Sequence, residues 1–375
     1  MSTTVSGGVY RRLADGGIGS KISGVKLTFL KEDRSSTHTA TSDAAGRYSV
    51  TLPAARYYLQ ATHADFEDYS SAPGFLVATG VTQTCNFFLR APRITTVFVV
   101  RHGEKLHPNS NDPAEPLSDV GRTRANKLRD VLFRAGITRI HSTNFVRTKD
   151  TVRPLAEALG IPIETYDTPA TVAARVLSES PGDVSLVVAH ANTVDDVISA
   201  VGPPVSFSLL NDADFDNLFV ASRAGPSKRV VNLQYGFETT ATISGGTTGN
   251  GHTVLLVGAE GVGAEPARLR HAAARAQVAA IYARSGMTAM VTPLATSLSL
   301  AVSTYDSTSV LSVVADVLAQ HANHTVVVSG TRADLRAIIQ LLGGSMVILY
   351  TNDVHHLVVL TRFAAGSVRA IPTLI

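Results

Sequence analysis

The stretch Thr96-Val-Phe-Val-Val-Arg101-His102-Gly103-Glu104 decides the fold class. Val97 to Val100 form a continuous apolar run of β-branched and aromatic residues. That pattern reads as a strand buried on both faces of an α/β sheet. Ligands of open α/β sheets bind at the carboxyl ends of the strands. Arg101 and His102 at such an end, followed by a glycine that lets backbone approach a ligand, make a candidate anion site. The alternative is a strand end whose Arg101 and His102 simply face water.

Downstream, strands and helices alternate. After a polar loop, 105–115, Ser118 reads as an N-cap with Asp119 in the first turn, where the helix dipole favours a negative charge. Ala125, Leu128, Leu132 and Ala135 lie on one helix face, and Gly136 stands where a helix-ending glycine belongs. Ile137 to His141 is a short strand. Val152, Leu155, Ala156 and Leu159 mark a second helix that ends at Gly160. Val184-Ser-Leu-Val-Val-Ala189 is another buried strand, and it too runs into a histidine, His190. Val194, Val197, Ile198 and Val201 give the next helix its apolar face. Leu218 to Ala221 and Arg229 to Leu233 are further strands.

Upstream, residues 1–92 read as all-β. Val25-Lys-Leu-Thr-Phe29, Tyr48-Ser-Val-Thr-Leu52, Tyr57-Tyr-Leu-Gln-Ala61 and Cys85-Asn-Phe-Phe-Leu89 are separated by Gly, Asp, Ser and Pro clusters. Short strands with turn signals between them point to a β-sandwich. Ala91-Pro92 is the expected boundary. Cys85 is the one cysteine, so no intrachain disulfide forms. It reads as a structural thiol on a strand.

Thr239 to Gly251, rich in Gly, Thr and Ser, reads as a linker. Residues 252–375 repeat the segment before that linker. Val254–Val257 falls on Val97–Val100, Pro266 on Pro116, and Gly286-Met-Thr288 on Gly136-Ile-Thr138. Thr304-Tyr-Asp306 falls on Thr165-Tyr-Asp167, Val326–Val328 on Leu186–Val188, and Leu357–Arg362 on Leu218–Arg223.

Composition sets the limits. The 375 residues are 45% hydrophobic, enough for two or three domains with cores of their own. Lys and Arg number 33 against 30 Asp and Glu, with no concentrated basic run, which argues against a nucleic-acid partner. No apolar stretch reaches the roughly 20 residues of a membrane span. The N-terminus lacks the basic and apolar regions of a signal peptide. A cytoplasmic protein without a membrane partner is therefore expected.

Arg101-His102-Gly103-Glu104 at a strand end resembles the signature of the histidine phosphatase superfamily, the phosphoglycerate mutase-like fold. Pro116-Leu-Ser-Asp-Val-Gly121-Arg-Thr-Arg-Ala125, Ser142-Thr-Asn-Phe-Val-Arg147-Thr-Lys-Asp-Thr151 and Val187-Val-Ala-His190 resemble its further motifs, in order. The resemblance spans residues 93–238. It implies a phosphohydrolase in which His102 attacks phosphorus and forms a phosphohistidine that water hydrolyses. Arg101 and Arg147 would clamp the phosphoryl oxygens bidentately. His190, protonated, would add a donor to the charge spreading in the transition state. Glu104 and Asp167 are the two candidate proton donors. Gly103 and Lys105 lie beside the nucleophile as candidate phosphate or substrate contacts. Asn192 and Thr193 either touch phosphate or simply start a helix. His107 reads as solvated, His141 as packed, and His355-His356 as a surface pair. No metal-ligand spacing is seen, and no cofactor is expected.

Residues 41–61, with the Asp43/Gly46 turn leading to Tyr48, resemble the carboxypeptidase regulatory-like β-sandwich family, which implies a packing or adhesion module. In the repeat, Gly258 stands for Arg101, Ala259 for His102, Ser297 for Arg147 and Gly330 for His190, so residues 252–375 read as a degenerate phosphatase-like domain. The expectation is a multidomain chain. An all-β sandwich (1–92) precedes an active α/β three-layer domain (93–238), a linker (239–251) and an inactive second α/β domain (252–375). Its substrate would be a phosphorylated small molecule or a phosphohistidine protein, and the two α/β domains would meet as an internal pseudo-dimer. The competing functions are a binding or assembly protein with a vestigial phosphatase domain, and a phosphomutase.

Overall fold

The computed structural model describes residues 2–13, 16–71, 74–178, 182–205, 214–236, 248–258, 266–344, 356–363 and 366–374. The chain forms two compact units, Met1–Arg93 with Ala224–Pro226, and Ile94–Arg223 with Ser227–Ile375.

The first unit is built from strands β1 (Ser2–Arg12), β2 (Ile18–Lys21), β3 (Lys26–Lys31), β4 (Thr37–Thr41), β5 (Arg47–Pro53), β6 (Ala55–Thr62), β7 (Tyr69–Ser70), β8 (Phe75–Val77), β9 (Gln83–Thr84) and β10 (Phe87–Arg90). One sheet has β1 at its centre with β10, β2, β5 and β9 paired to it; the other runs β4-β3-β6-β7, with β8 also on β6. Alternation puts Val5, Val9, Leu27, Phe29, Tyr48, Leu52, Tyr57 and Leu59 in one buried core. The turn before β5 is dictated by its sequence. Asp43 Oδ1 accepts from the amides of Ala45 and Arg47 (2.9 and 2.8 Å), and Gly46 takes φ +65°. Tyr48 then donates to the Cys85 carbonyl at 2.8 Å, which ties β5 to the segment before β10.

The second unit contains two sheets. The first half comprises β11 (Thr95–Arg101), α1 (Asp119–Leu132), β12 (Arg139–Ser142), α2 (Val146–Leu159), β13 (Ile163–Thr165), α3 (Pro169–Ser178), β14 (Val184–Ala189), α4 (Val194–Val201), β15 (Asn217–Ala224), β16 (Ser227–Gln234) and β17 (Thr248–Gly249). Its sheet order is β13-β12-β14-β11-β15-β16-β17. The four strands β13, β12, β14 and β11 are parallel, and β15 is antiparallel to β11. Every residue of β11 and β14 is buried, as the continuous apolar runs require. Side chains alternate across the sheet. Phe98 and Val100 pack with Leu128, Leu132, Val152 and Leu155 of α1 and α2. Val97 and Val99 pack with Val172 and Val176 of α3 and with Val194, Val197 and Ile198 of α4. Each such side chain, removed from water, contributes about 1.5–3 kcal/mol. Ser118 caps α1 by accepting from the Gly121 amide at 3.1 Å, and Gly160 ends α2 at φ +66°.

The second half comprises β18 (His252–Gly258), α5 (Pro266–Ala273), β19 (Val278–Arg284), α6 (Thr292–Leu298), β20 (Val302–Tyr305), α7 (Val310–Gln320), β21 (Thr325–Gly330), α8 (Arg332–Leu341), β22 (His356–Arg362) and β23 (Val368–Leu374). Its sheet order is β20-β19-β21-β18-β22-β23, which matches the first sheet strand for strand apart from β17. Leu255 and Val257 share one continuous core with Phe98, Val100 and the α1 and α2 side chains, while Val254 and Leu256 pack with α7 and α8.

The ladders correct several correspondences expected from sequence. Ile140 pairs with Leu186 and Ile281 with Val327, so β19 lies where β12 lies. Gly136 precedes β12, but Gly286 comes after β19, so these glycines do not correspond. The second half is the shorter between β18 and β19, where α5 is much shorter than α1. Arg101 pairs with Ala189 and Gly258 with Gly330, which places Thr331, not Gly330, level with His190. Arg147 opens α2, whereas Ser297 lies in the last turn of α6, so Ser297 does not stand for Arg147. Short Val-rich strands look alike in sequence, and only pairing fixes their register. The end of the expected linker is β17, paired with β16; Thr239 to Thr247, Ala259 and His355 lie outside the described residues. Helices α3 and α7 and strand β13 carried no reading in the sequence. Among the described residues no helix is long and apolar enough to cross a membrane.

Candidate active site

Three adjacent parallel strands, β11, β14 and β12, end on the same side of the first sheet. Because Arg101 pairs with Ala189, the next residues, His102 and His190, emerge side by side. Their ring centroids are 5.3 Å apart at 65°. On the third strand, β12 ends at Ser142, and Thr143 then leads to α2, whose second residue is Arg147. Arg101, His102 and Arg147 are 5%, 4% and 5% exposed, so the strand-end residues do not face water.

His102 is fixed through its neighbours. Its amide donates to the Ala189 carbonyl at 3.1 Å, and Nδ1 lies 2.8 Å from the Gly103 carbonyl oxygen. A carbonyl only accepts, so Nδ1 carries the proton and Nε2 the lone pair. Burial, reinforced by the positive charges of Arg101 and Arg147, pushes its pKa down to about 3 against the opposing Gly103 hydrogen bond. Gly103 donates its amide to Thr151 Oγ1 at 2.9 Å. A Cβ on Gly103 would lie 3.1 Å from the Gly121 carbonyl, and one on Gly121 would lie 2.3 Å from the Glu104 carbonyl. The two glycines let the turn after β11 press against the start of α1.

His190 Nε2 lies 2.9 Å from Thr143 Oγ1, which lies 3.0 Å from Thr148 Oγ1. The Thr148 hydroxyl donates to the carbonyls of Phe145 and Thr143. Thr143 therefore donates to Thr148 and accepts from His190, which puts the His190 proton on Nε2. The family resemblance implies a protonated His190, but the buried pocket holds it neutral. Burial first, then Arg147, Arg101 and Lys105, lowers its pKa to about 4. Phe145 packs edge-on against it at 4.8 Å. Thr193 folds back rather than forward. Its Oγ1 accepts from the His190 amide at 3.1 Å and makes no cap hydrogen bond to α4.

The arginines are held by carbonyls and rings. Arg101 Nη1 donates to the Asp214 carbonyl at 3.4 Å, and its Cζ lies 4.2 Å from the Phe215 ring centroid. Arg147 Nη1 donates to the Asp112 carbonyl at 3.0 Å, and its Cζ lies 4.4 Å from the Phe145 ring. Arg147 Nε is buried without a hydrogen-bond partner among the described residues. Such a donor is costly unless a ligand satisfies it. Burial lowers the Arg147 pKa. Two guanidinium groups and two neutral imidazoles in one buried pocket can bind a compact anion and offer it a nitrogen lone pair.

Glu104 is committed elsewhere. Arg124, fully buried, grips both its oxygens, with Nε at 3.0 Å from each and Nη2 at 2.7 Å from Oε1. Asp167 is exposed in the turn before α3. Neither proton-donor candidate is thus brought to the histidine pair. Lys105 Nζ donates to the Ser110 carbonyl at 2.7 Å, and Asn192 is exposed. His107 is not merely solvated: its amide and Nδ1 both meet Glu115 Oε1, at 2.7 and 3.0 Å. His141 is fully buried, as expected for a packed histidine. Thr143, Phe145 and Thr148 have no role that sequence alone assigns, because Arg147 is the one charged residue of their stretch that a phosphate obviously needs. Phe215 is silent too, although an aromatic residue inside Asn211-Asp-Ala-Asp-Phe-Asp-Asn217 is a detectable anomaly.

Residues 97–168 match the histidine phosphatase superfamily (branch 1), and residues 4–90 match the carboxypeptidase regulatory-like domain. The chain thus carries a histidine phosphatase superfamily domain and, before it, a carboxypeptidase regulatory-like domain. Among solved structures it is similar to the putative phosphohistidine phosphatase SixA from Agrobacterium tumefaciens (20% identity, 35% of this chain, 94% of that chain, TM-score 0.27). It is also similar to a tungstate complex of the protein histidine phosphatase SixA (18%, 38% and 96%, TM-score 0.27). A third similar structure is the mycobacterial glucosyl-3-phosphoglycerate phosphatase (17%, 35% and 91%, TM-score 0.28).

Proposed function

We propose that residues 93–238 form a metal-independent phosphatase that hydrolyses a phosphomonoester or a phosphohistidine through a phosphohistidine intermediate on His102. The observation that carries this reading is the state of His102: buried, neutral, with its proton committed to the Gly103 carbonyl at 2.8 Å. Nε2 is then free to attack phosphorus. The bond from Nε2 to phosphorus forms as the bond to the ester oxygen, or to the imidazole nitrogen of a phosphohistidine, breaks; the leaving atom takes a proton from water, and a second water later breaks the Nε2–phosphorus bond to release phosphate. Arg101 and Arg147 hold the phosphoryl oxygens as charge spreads over them. The dianion opposes the cations that depress the His190 pKa. A proton gained at Nδ1 then turns His190 into a donor toward the phosphoryl group. Gly103, Lys105, Asn192 and Thr193 serve as nearby phosphate or substrate contacts, Thr193 chiefly by holding the His190 backbone. The test is hydrolysis of an aryl phosphate by the full chain and by His102→Ala. Loss of the rate supports the reading; equal rates overturn it and favour a binding protein with a vestigial site.

The same proposal assigns residues 252–375 to an inactive second copy behind the 239–251 linker. The matched strand orders support it, as does a repeated tyrosine hydrogen bond. Tyr166 donates to the Val188 carbonyl at 2.8 Å, and Tyr305 to the Ser329 carbonyl at 3.1 Å. Where the first half presents two arginines and two histidines, the described residues of the second present a closed ion pair. Arg284 Nη1 pairs with both oxygens of Asp334 at 2.8 and 2.7 Å, and Asp334 belongs to the capping box of α8. A Cβ on Gly330 would lie 2.1 Å from Tyr305 Oη.

Reciprocal contacts support an internal pseudo-dimer of the two halves. Helix α1 packs on β23 and α5 on β16. Arg229 of β16 reaches Thr253, Thr325 and the Asn323 carbonyl, at the start of β18 and β21. Arg369 of β23 reaches the carbonyls of Ile94 and Gly182, just before β11 and β14.

A further inference from the structure

One arginine of the second half reaches toward the first-half site through a short relay. Arg275 stands just after α5, and its side chain is 9% exposed. Its Nη1 donates to Asp216 Oδ1 at 3.1 Å and to Asn217 Oδ1 at 2.6 Å. The first half completes the anchor. Gln234 Nε2 donates to Asp216 Oδ2 at 2.8 Å, the Tyr235 amide to the Asp216 carbonyl at 2.9 Å, and Asn232 Nδ2 to Asn217 Oδ1 at 3.1 Å. Asp216 and Asn217 are 0% and 2% exposed, so the cluster is a fixed point rather than a surface contact.

Immediately before this anchor stand Asp214 and Phe215, and both hold Arg101. The Asp214 carbonyl accepts from Nη1, and the Phe215 ring lies under Cζ. The same ring stands 6.3 Å from the His102 ring. A guanidinium over an aromatic face is oriented as well as attracted. The chain has little freedom between Phe215 and the next residue, whose two carboxylate oxygens and carbonyl are all bonded.

We propose that Arg275 is a positioning residue: from the inactive half it sets the orientation of Arg101 in the phosphate pocket through Asp216, Asn217 and Phe215. The inference rests on the phosphatase reading above. It gives the second half a role in the reaction without chemistry of its own.

The experiment uses the full chain and compares wild type, Arg275→Met, Arg275→Lys, Phe215→Leu and the Met/Leu double variant. It measures kcat and KM on an aryl phosphate and the inhibition constant of inorganic phosphate, at a temperature where circular dichroism shows each variant folded. Arg275→Met should raise KM and the phosphate inhibition constant by on the order of tenfold, with Arg275→Lys recovering part of the loss. Phe215→Leu should do the same, and the double variant should be no worse than the worse single variant, because both act through one path. If Arg275→Met does not fold, Arg275→Gln keeps one donor and carries the same comparison. Unchanged phosphate affinity in a folded Arg275 variant overturns the inference while leaving the phosphatase reading intact, and so do additive effects. A wild-type chain that neither hydrolyses the ester nor binds phosphate by calorimetry overturns both.

Discussion

The Nδ1 atom of His102 lies 2.8 Å from the carbonyl oxygen of Gly103, its neighbour in the chain. The contact fixes the tautomer and so fixes which nitrogen can carry a phosphoryl group. A phosphoenzyme trapped by rapid quench at high pH should therefore hold its phosphorus on Nε2 of His102. Phosphorus NMR of the digested peptide distinguishes the two nitrogens. Phosphate on Nδ1 would overturn the assigned tautomer, and phosphate on another side chain would remove His102 from the role given to it.

Glu104 and Asp167 differ sharply in what their loss should do. Glu104→Gln leaves the fully buried Arg124 without its anionic partner. Breaking a buried pair costs about 3–5 kcal/mol, and the partial exposure of Glu104 puts the expected loss near the lower end. Urea unfolding should show it. Among molecules that remain folded, turnover of an aryl phosphate should change by less than about tenfold, since the Glu104 carboxylate is bound by Arg124 and an aryl leaving group needs little help from an acid. Asp167→Asn should leave both stability and rate near wild type. Were Glu104→Gln folded, active on aryl esters and dead on alkyl esters, Glu104 would be the acid after all.

Acid should destabilise the second unit earlier than carboxylate titration alone requires. His102, His141 and His190 are depressed to about 3, 4 and 4, each chiefly by burial. In the unfolded chain they titrate near 6.5. As pH falls below that value the unfolded state binds protons that the folded state refuses, so stability falls, and the loss is complete only near pH 4 to 3. Each histidine contributes up to about 1.4 kcal/mol per pH unit in that window. Urea midpoints at pH 7.5, 6.5 and 5 should fall slightly between the first two and drop clearly at the third. His141→Leu should reduce the drop, and saturating inorganic phosphate should offset it. A midpoint independent of pH across this range would contradict the buried, neutral histidines.

The parts of this molecule that were legible in sequence share a cause. β11 and β14 are buried on both faces, so their composition is uniform, and the polar residues that end them stand out. The caps Ser118 and Gly160 were legible because a helix end needs a side-chain acceptor or a positive φ, whereas α1 ends at Phe133 in ordinary helical geometry, three residues before the expected Gly136. What failed was whatever depends on pairing partners. Gly286 resembles Gly136 because similar short segments recur and a shortened helix leaves no local trace. Glu104 looks like an acid because it adjoins His102, but Arg124, twenty residues away, takes it. Phe215 and Arg275 belong to the site through a path that crosses from one half to the other, and no local pattern encodes such a path.

The joined halves make a prediction about cooperativity. Phe98, Leu128 and Leu155 of the first half share one core with Leu255, Leu269 and Leu294 of the second. Neither half can open without exposing the apolar face of the other, so Ile94–Arg223 and Ser227–Ile375 should unfold in a single transition. Arg229 and Arg369 sit at corresponding ends of this junction, each bonded to oxygens of the opposite half. Arg229→Met and Arg369→Met should each lower stability by about 1–3 kcal/mol through the acceptors they leave unsatisfied. The midpoint should shift without splitting, whichever half carries the substitution. The measurement is denaturant unfolding monitored at once by far-ultraviolet circular dichroism and by probes placed in each half. Two transitions, or an Arg369 effect confined to the second half, would mean that the sheets are neighbours and not one folding unit. The second half would then be dispensable to the stability of the first.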